Sequence, residues 1–264
     1  MATHAVGLSI ALLGLSRGVA AIGVQAGVAA VFALALGQLY GPVTATHRIT
    51  SDTQSPESSS AGVHGRGEGR TVSFDGGRKT FNVSALPRLG SADAKHVLIE
   101  YHDFQCPACR TMGGFLRALV EKHPDDISVI LLPVPLDRYC NSHLKPTDKG
   151  HPGSCALARI ALAVWKADPA AYQEIHTRFA SDLPLGEEAA LAFAREWVNP
   201  ASLDSALRDP WIDELIRADI SDWVALSEKK HQLPKILIRD KRILHGLPPT
   251  EADFIRVMER ELGL

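Results

Sequence analysis

The stretch His96-Val-Leu-Ile-Glu-Tyr-His102, followed by Cys106-Pro107-Ala108-Cys109 and then Arg110-Thr-Met-Gly-Gly-Phe-Leu-Arg-Ala-Leu-Val120, decides the fold. The first part is an apolar, β-branched run that reads as a strand. In the last part Met112, Phe115, Leu116, Leu119 and Val120 recur at i, i+3, i+4, i+7 and i+8, the spacing of a helix with one buried face, and Pro124 ends it. The two cysteines therefore stand at a strand-to-helix junction, where a C-x-x-C pair reads as a thiol–disulfide redox site. The amide N–H groups and the positive dipole end of the helix favour a thiolate at Cys106. Cys109 lies one turn further in, near enough to close a small disulfide ring. Pro107 suits the first helical turn, where its missing N–H is not needed. A structural zinc site would require a second close pair, and Cys140 and Cys155 are too far apart in sequence to form one.

Elements on either side extend the reading. Thr71–Phe74 and Thr80–Val83 flank Asp75-Gly76-Gly77 as a short hairpin. Ile127–Leu132 is a second buried strand, and strand, helix, strand with this crossover implies parallel pairing. A helical block follows. Ser154 reads as the cap of a helix burying Leu157, Ile160, Ala161, Val164 and Trp165, and Asp168-Pro169 starts another with Tyr172, Ile175, His176 and Phe179 inward. A third covers about 187–198, and the last starts at Pro210. His176 reads as a core histidine. Sheet returns at Lys235–Arg239 and Arg242–His245 across an Asp240-Lys241 turn, and Thr250 caps a terminal helix. The expected class is α/β, a small core split by a helical insertion at about 154–230, all within residues 71–264.

The N-terminal third differs. Val19–Tyr40 carries no charge over 22 residues, about 33 Å as a helix, enough to cross a bilayer. Residues 1–40 are thus expected to hold one transmembrane anchor at about 19–40. Ala33-Leu34-Ala35 leaves a cleaved signal as the alternative. Arg17 and Arg48 flank the span and do not orient it. A C-x-x-C oxidant works in an oxidising compartment, which places the later residues outside the cytoplasm, on the periplasmic side. Residues 41–70, rich in Ser and Gly, read as a flexible linker. The net charge of −2 shows no basic stripe, so nucleic acid is not expected as a partner.

The order of elements with C-x-x-C at the first helix resembles the DsbA-like thiol–disulfide oxidoreductases of the thioredoxin-fold superfamily, over residues 71–264. Glu100-Tyr-His-Asp-Phe-Gln-Cys-Pro-Ala-Cys-Arg110 is close to that family's local signature. It is also similar to thioredoxin-like domains attached to membrane segments in bacteria, including those joined to vitamin K epoxide reductase-like proteins. The resemblance implies an enzyme without a cofactor or metal. It implies that Cys106 exchanges disulfides with exported, cysteine-containing proteins and that Cys109 resolves the mixed disulfide. It gives Glu100, six positions earlier on the strand, the proton of Cys109 to carry. It makes Pro234 a cis proline beside the sulfurs, with Leu233, Pro107 and Ala108 lining the substrate strand. A membrane or soluble redox partner would reset the pair. Two departures stand out. Strong oxidants of the family have His where this chain has Ala108, so less stabilisation of the Cys106 thiolate is expected, and Leu233 replaces a small or β-branched residue.

Cys140 and Cys155 bracket a loop holding His143, Lys145, Lys149 and His151. A staple disulfide, contributing roughly 3 kcal/mol through loop closure, a second redox pair acting as a relay, and a metal site with His143 and His151 are the three readings. Outside the enzyme class, a copper metallochaperone or maturation factor using Cys106 and Cys109 is the alternative, weakened by the absence of a Met-rich stretch.

Overall fold

The computed structural model describes residues 47–51, 63–65, 67–181, 184–226 and 232–264. The proposed anchor at 19–40 and the possible cleavage site lie outside them. No helix among the described residues is long and apolar enough to cross a membrane.

The chain order is β1 (Arg48–Ser51), β2 (Val63–His64), β3 (Thr71–Phe74), β4 (Lys79–Asn82), β5 (Arg88–Leu89), β6 (His96–His102), α1 (Pro107–Lys122), β7 (Ile127–Pro133), α2 (Ser154–Ala167), α3 (Tyr172–Phe179), α4 (Glu187–Trp197), α5 (Pro200–Leu207), α6 (Pro210–Ala225), β8 (Lys235–Arg239), β9 (Arg242–His245) and α7 (Glu251–Leu262). Six strands form one sheet in the order β1-β9-β8-β6-β7-β5, and β2-β4-β3 form a second. The α1 crossover makes β6 and β7 parallel, Glu100 facing Leu131 in register, as a strand–helix–strand unit requires. β8 runs antiparallel to β6 on its other side, with Lys235 opposite Tyr101. The two strands buried on both sides, β6 and β7, are the ones that read as continuous apolar runs.

Two segments of the stretch expected to be linker are strands instead. Arg48–Ser51 completes the sheet edge against Arg242–His245, with the Thr50 hydroxyl 3.0 Å from His245 Nε2. Val63–His64 pairs in parallel with Thr80–Phe81, and the His64 ring rests 4.9 Å from that of Phe81. Local composition there is polar, and both pairings are made with partners distant in sequence. Those partners decide the outcome.

Period-two alternation along β6 sends Tyr101 to one face and Glu100 and His102 to the other. Tyr101 donates to Asp222 of α6, which also binds Lys79. On the opposite face His102 meets His176 of α3, their ring centroids 5.9 Å apart. Helix α1 packs on the same side through Gly113, where a Cβ would stand 2.8 Å from the Ala180 Cβ and 3.2 Å from His176 Cε1. The insertion therefore docks directly on the helix that carries the cysteine pair. Its central helix, α2, is buried nearly all round because the other insertion helices surround it.

Three details differ from expectation. Gly153, at positive φ, is the N-cap of α2, and Ser154 is the first helical residue, its buried hydroxyl without a partner. Helix α5 was not anticipated, although Asn199 caps it by accepting from Ala201 and Ser202 N–H and Pro200 fills N1. Asp168 caps a short 3-10 turn, Pro169–Ala171, that leads into α3.

Candidate active site

The turn between β6 and α1 is built by Asp103. Its Oδ1 accepts from Gln105 N–H at 2.6 Å, its carbonyl accepts from Cys106 N–H at 3.0 Å, and its Oδ2 accepts from Leu136 N–H at 2.6 Å. This side-chain-to-backbone turn brings Cys106 to the N-cap of α1 with Pro107 at the first helical position. Both cysteines are free thiols. Cys106 is 9% exposed, Cys109 4%, Pro107 is exposed and Ala108 half-buried. Cys106 is thus only slightly the more exposed of the two.

Their acidities separate. The Cys109 side chain and N–H hydrogen-bond the Cys106 sulfur and bring it down to about 7, against the opposing effect of burial. Burial pushes Cys109 well up, and the negative charge of Cys106 and of Glu100 adds to it. Cys106 is thus the more acidic of the two, which is the division of labour exchange chemistry needs.

Glu100 is buried beneath the pair, and neither carboxyl oxygen has a hydrogen-bond partner. Burial, then the nearby Cys106 charge, holds its pKa well above the usual carboxyl range. His102 Nδ1 lies 3.9 Å from Glu100 Oε2. Burial and the neighbouring His176 lower His102 to about 3, and burial lowers His176 to about 4, so both rings are neutral. His176 is the core histidine expected from its sequence position.

The Leu233–Pro234 bond is cis, as the resemblance implied. Pro234 directly precedes β8, whose first residue faces Tyr101, so it stands at the end of β6 from which the chain runs into Cys106. The Pro234 carbonyl accepts from Gly246 N–H, and Leu233 is buried. The other two cysteines form a Cys140–Cys155 disulfide. That bond consumes both thiols of the metal reading, and His151 is engaged elsewhere, its Nδ1 3.0 Å from Asp103 Oδ2. No group of three or more His, Cys, Asp or Glu side chains among the described residues is arranged to hold a metal. Asp103 escaped the sequence reading. An aspartate two residues before an N–H in a strand exit is an available Asx-turn signal, but its reach to Leu136 and His151 is tertiary.

The family model described as thioredoxin matches residues 84–256, from β5 into α7. The chain belongs to the thioredoxin family. It is 25% identical over 122 residues to the disulfide bond formation protein D of Bacillus subtilis, and spans about half the length of that curated relative (46% of this chain, 47% of the other). Among solved structures of this family's fold, the compact form of Proteus mirabilis ScsC is 26% identical with a TM-score of 0.51, covering 67% of this chain and 72% of that one. The ScsC catalytic domain is 25% identical with a TM-score of 0.52 over 67% and 89%. A thiol-disulfide exchange protein from Wolbachia pipientis shares the fold at 16% identity, with a TM-score of 0.53 over 67% and 86%. The expected kinship with the DsbA-like members of the thioredoxin-fold superfamily is borne out at the level of family.

Proposed function

We propose that the chain exchanges disulfides with cysteine-containing exported proteins through Cys106 and Cys109. The observation that carries this is the split pair at the helix N-terminus, one sulfur acidified and the other held as a thiol above a buried, partnerless carboxyl. In the oxidising direction a substrate thiolate attacks Cys106 Sγ and breaks the Cys106–Cys109 bond. Cys109 leaves with the electron pair and takes a proton, which Glu100 supplies. A second substrate thiolate then attacks the substrate sulfur of the mixed disulfide and releases the Cys106 thiolate. The substrate loses two electrons and the pair gains them. A separate redox partner restores the disulfide. Leu233, Pro107 and Ala108 would line the path of an extended substrate peptide, with Pro234 shaping that edge.

A Cys106 near 7 resembles the nucleophile of a thioredoxin, at about 7, more than the DsbA thiol at about 3.5. The potential of Cys106–Cys109 is therefore expected nearer about −270 mV than about −120 mV. Glutathione titration of the purified protein, followed by differential alkylation and mass spectrometry, measures it alongside insulin reduction. No turnover together with tight copper binding by the same thiols would overturn the enzyme reading in favour of metal delivery.

The apolar run Val19–Tyr40 supports a membrane tether that holds the domain on the periplasmic side. Alkaline phosphatase fused after residue 41 is expected to be active, and inactive fusions would sink this placement.

A further inference from the structure

The loop closed by Cys140–Cys155 carries His151 to Asp103. Asp103, whose backbone sets the Cys106 turn, extends Oδ2 to the loop and receives both Leu136 N–H at 2.6 Å and His151 Nδ1 at 3.0 Å. His151 N–H in turn reaches the Leu136 carbonyl at 2.5 Å. That contact needs Gly150 at φ +60°, because a Cβ there would stand 2.5 Å from the Leu136 oxygen. Asp103 is fully buried, while the His151 ring is only about a quarter exposed, at 27%.

We propose that His151, oriented by Asp103 and carried on the loop that Cys140–Cys155 closes, is a positioning residue that supplies the positive charge beside the Cys106 thiolate, so that the second disulfide sets the reactivity of the first pair. The chain has Ala108 where a histidine between the cysteines would act from inside the motif. Here a histidine arrives from a loop some forty residues later. The electrostatics agree with the geometry. The Asp103 hydrogen bond raises His151, burial opposes, and the charges of Asp103 and Cys106 raise it further, against Arg110. Reciprocally, His151 lowers Cys106 while Asp103 raises it. Losing the imidazolium thus leaves Cys106 facing a bare buried carboxylate. The groups that face this pair are Asp103 from the β6–α1 turn, Arg110 and Cys109 from α1, and Glu100 from β6. The inference deepens the proposed exchange function but is read from a different quantity.

The test is the pH titration of the Cys106 thiolate by its ultraviolet absorbance and by alkylation rate, in the full chain. His151→Gln keeps all four cysteines and is expected to raise the midpoint by a few tenths of a pH unit, which slows alkylation about twofold below it. His151→Lys, which restores a cation, is expected to recover most of the shift. Cys140→Ser with Cys155→Ser is expected to shift the midpoint the same way, and adding His151→Gln to it to change little more. An unchanged midpoint in His151→Gln overturns the proposal whether or not the double serine variant folds. A folded double serine variant with the wild-type midpoint overturns the role of the disulfide. Because neither readout uses a protein substrate, a shifted midpoint in a chain without turnover would count against the exchange function and leave this inference standing.

Discussion

Replacing Cys106 with Ser is expected to abolish disulfide exchange, while Cys109→Ser leaves a protein that attacks disulfides once and stays attached to them. The asymmetry follows from the electrostatics of the pair. Cys106 is the more exposed sulfur and the only one acidified, so it alone combines access with thiolate character near neutral pH. A serine there removes the nucleophile, and Cys109, pushed well up by burial and by its negative neighbours, is too rarely a thiolate to substitute for it. In Cys109→Ser the first step proceeds but nothing nearby displaces the bound partner. Incubation with an oxidised peptide, non-reducing electrophoresis and mass spectrometry of the trapped adduct check both variants. Expected are no adduct with Cys106→Ser and a stoichiometric adduct at Cys106 with Cys109→Ser. Equal trapping by both variants would remove the assignment of roles. Cys109→Ala, which lacks a side-chain donor, should also carry a less acidified Cys106, because the Cys109 side-chain hydrogen bond is the largest cause of that acidity.

How far the sequence alone reaches depends on the range of the interaction. The C-x-x-C junction, the buried face of α1, the hairpin Thr71–Asn82 and the Thr250 cap are legible because their determinants lie within one turn or one strand. Glu100 and Pro234 are legible only through resemblance, since nothing local distinguishes a buried carboxyl on a strand from an exposed one. The two edge elements, Arg48–Ser51 and Val63–His64, are polar segments whose strand character comes from distant partners, so composition reads them as linker. His151 is the sharpest case. On the sequence it is one basic residue among several in a loop and a candidate metal ligand. Its actual partner is Asp103, 48 residues earlier, across a contact that the Cys140–Cys155 bond and Gly150 shape together.

In the reducing direction, where Cys109 must give up its proton to attack the mixed disulfide, Glu100→Gln is expected to slow the release of substrate from Cys106 on the order of a hundredfold, with little change in the first attack. The step that needs Glu100 is the departure and return of the Cys109 proton, because Cys109 sits well above neutral and buried where solvent hardly reaches. A carboxyl raised well above its usual range by the same burial is matched to that proton, and glutamine can neither give nor take one. Single-turnover reduction, with the two phases followed separately, checks it, and equal slowing of both phases would assign Glu100 a purely structural part. Stability supplies an independent readout with a definite sign. The folded-state carboxyl holds its proton to higher pH than the unfolded one, so between the two values the native state binds more protons and wild-type stability falls as pH rises. The fall begins near the ordinary glutamate range and ends at the raised native value. Glutamine has no such dependence. Denaturant unfolding of both proteins from mildly acidic to mildly alkaline pH is therefore expected to show the variant gaining on the wild type as pH rises. A constant difference across that range would mean that Glu100 ionises as an ordinary carboxyl and could not hold the Cys109 proton at all.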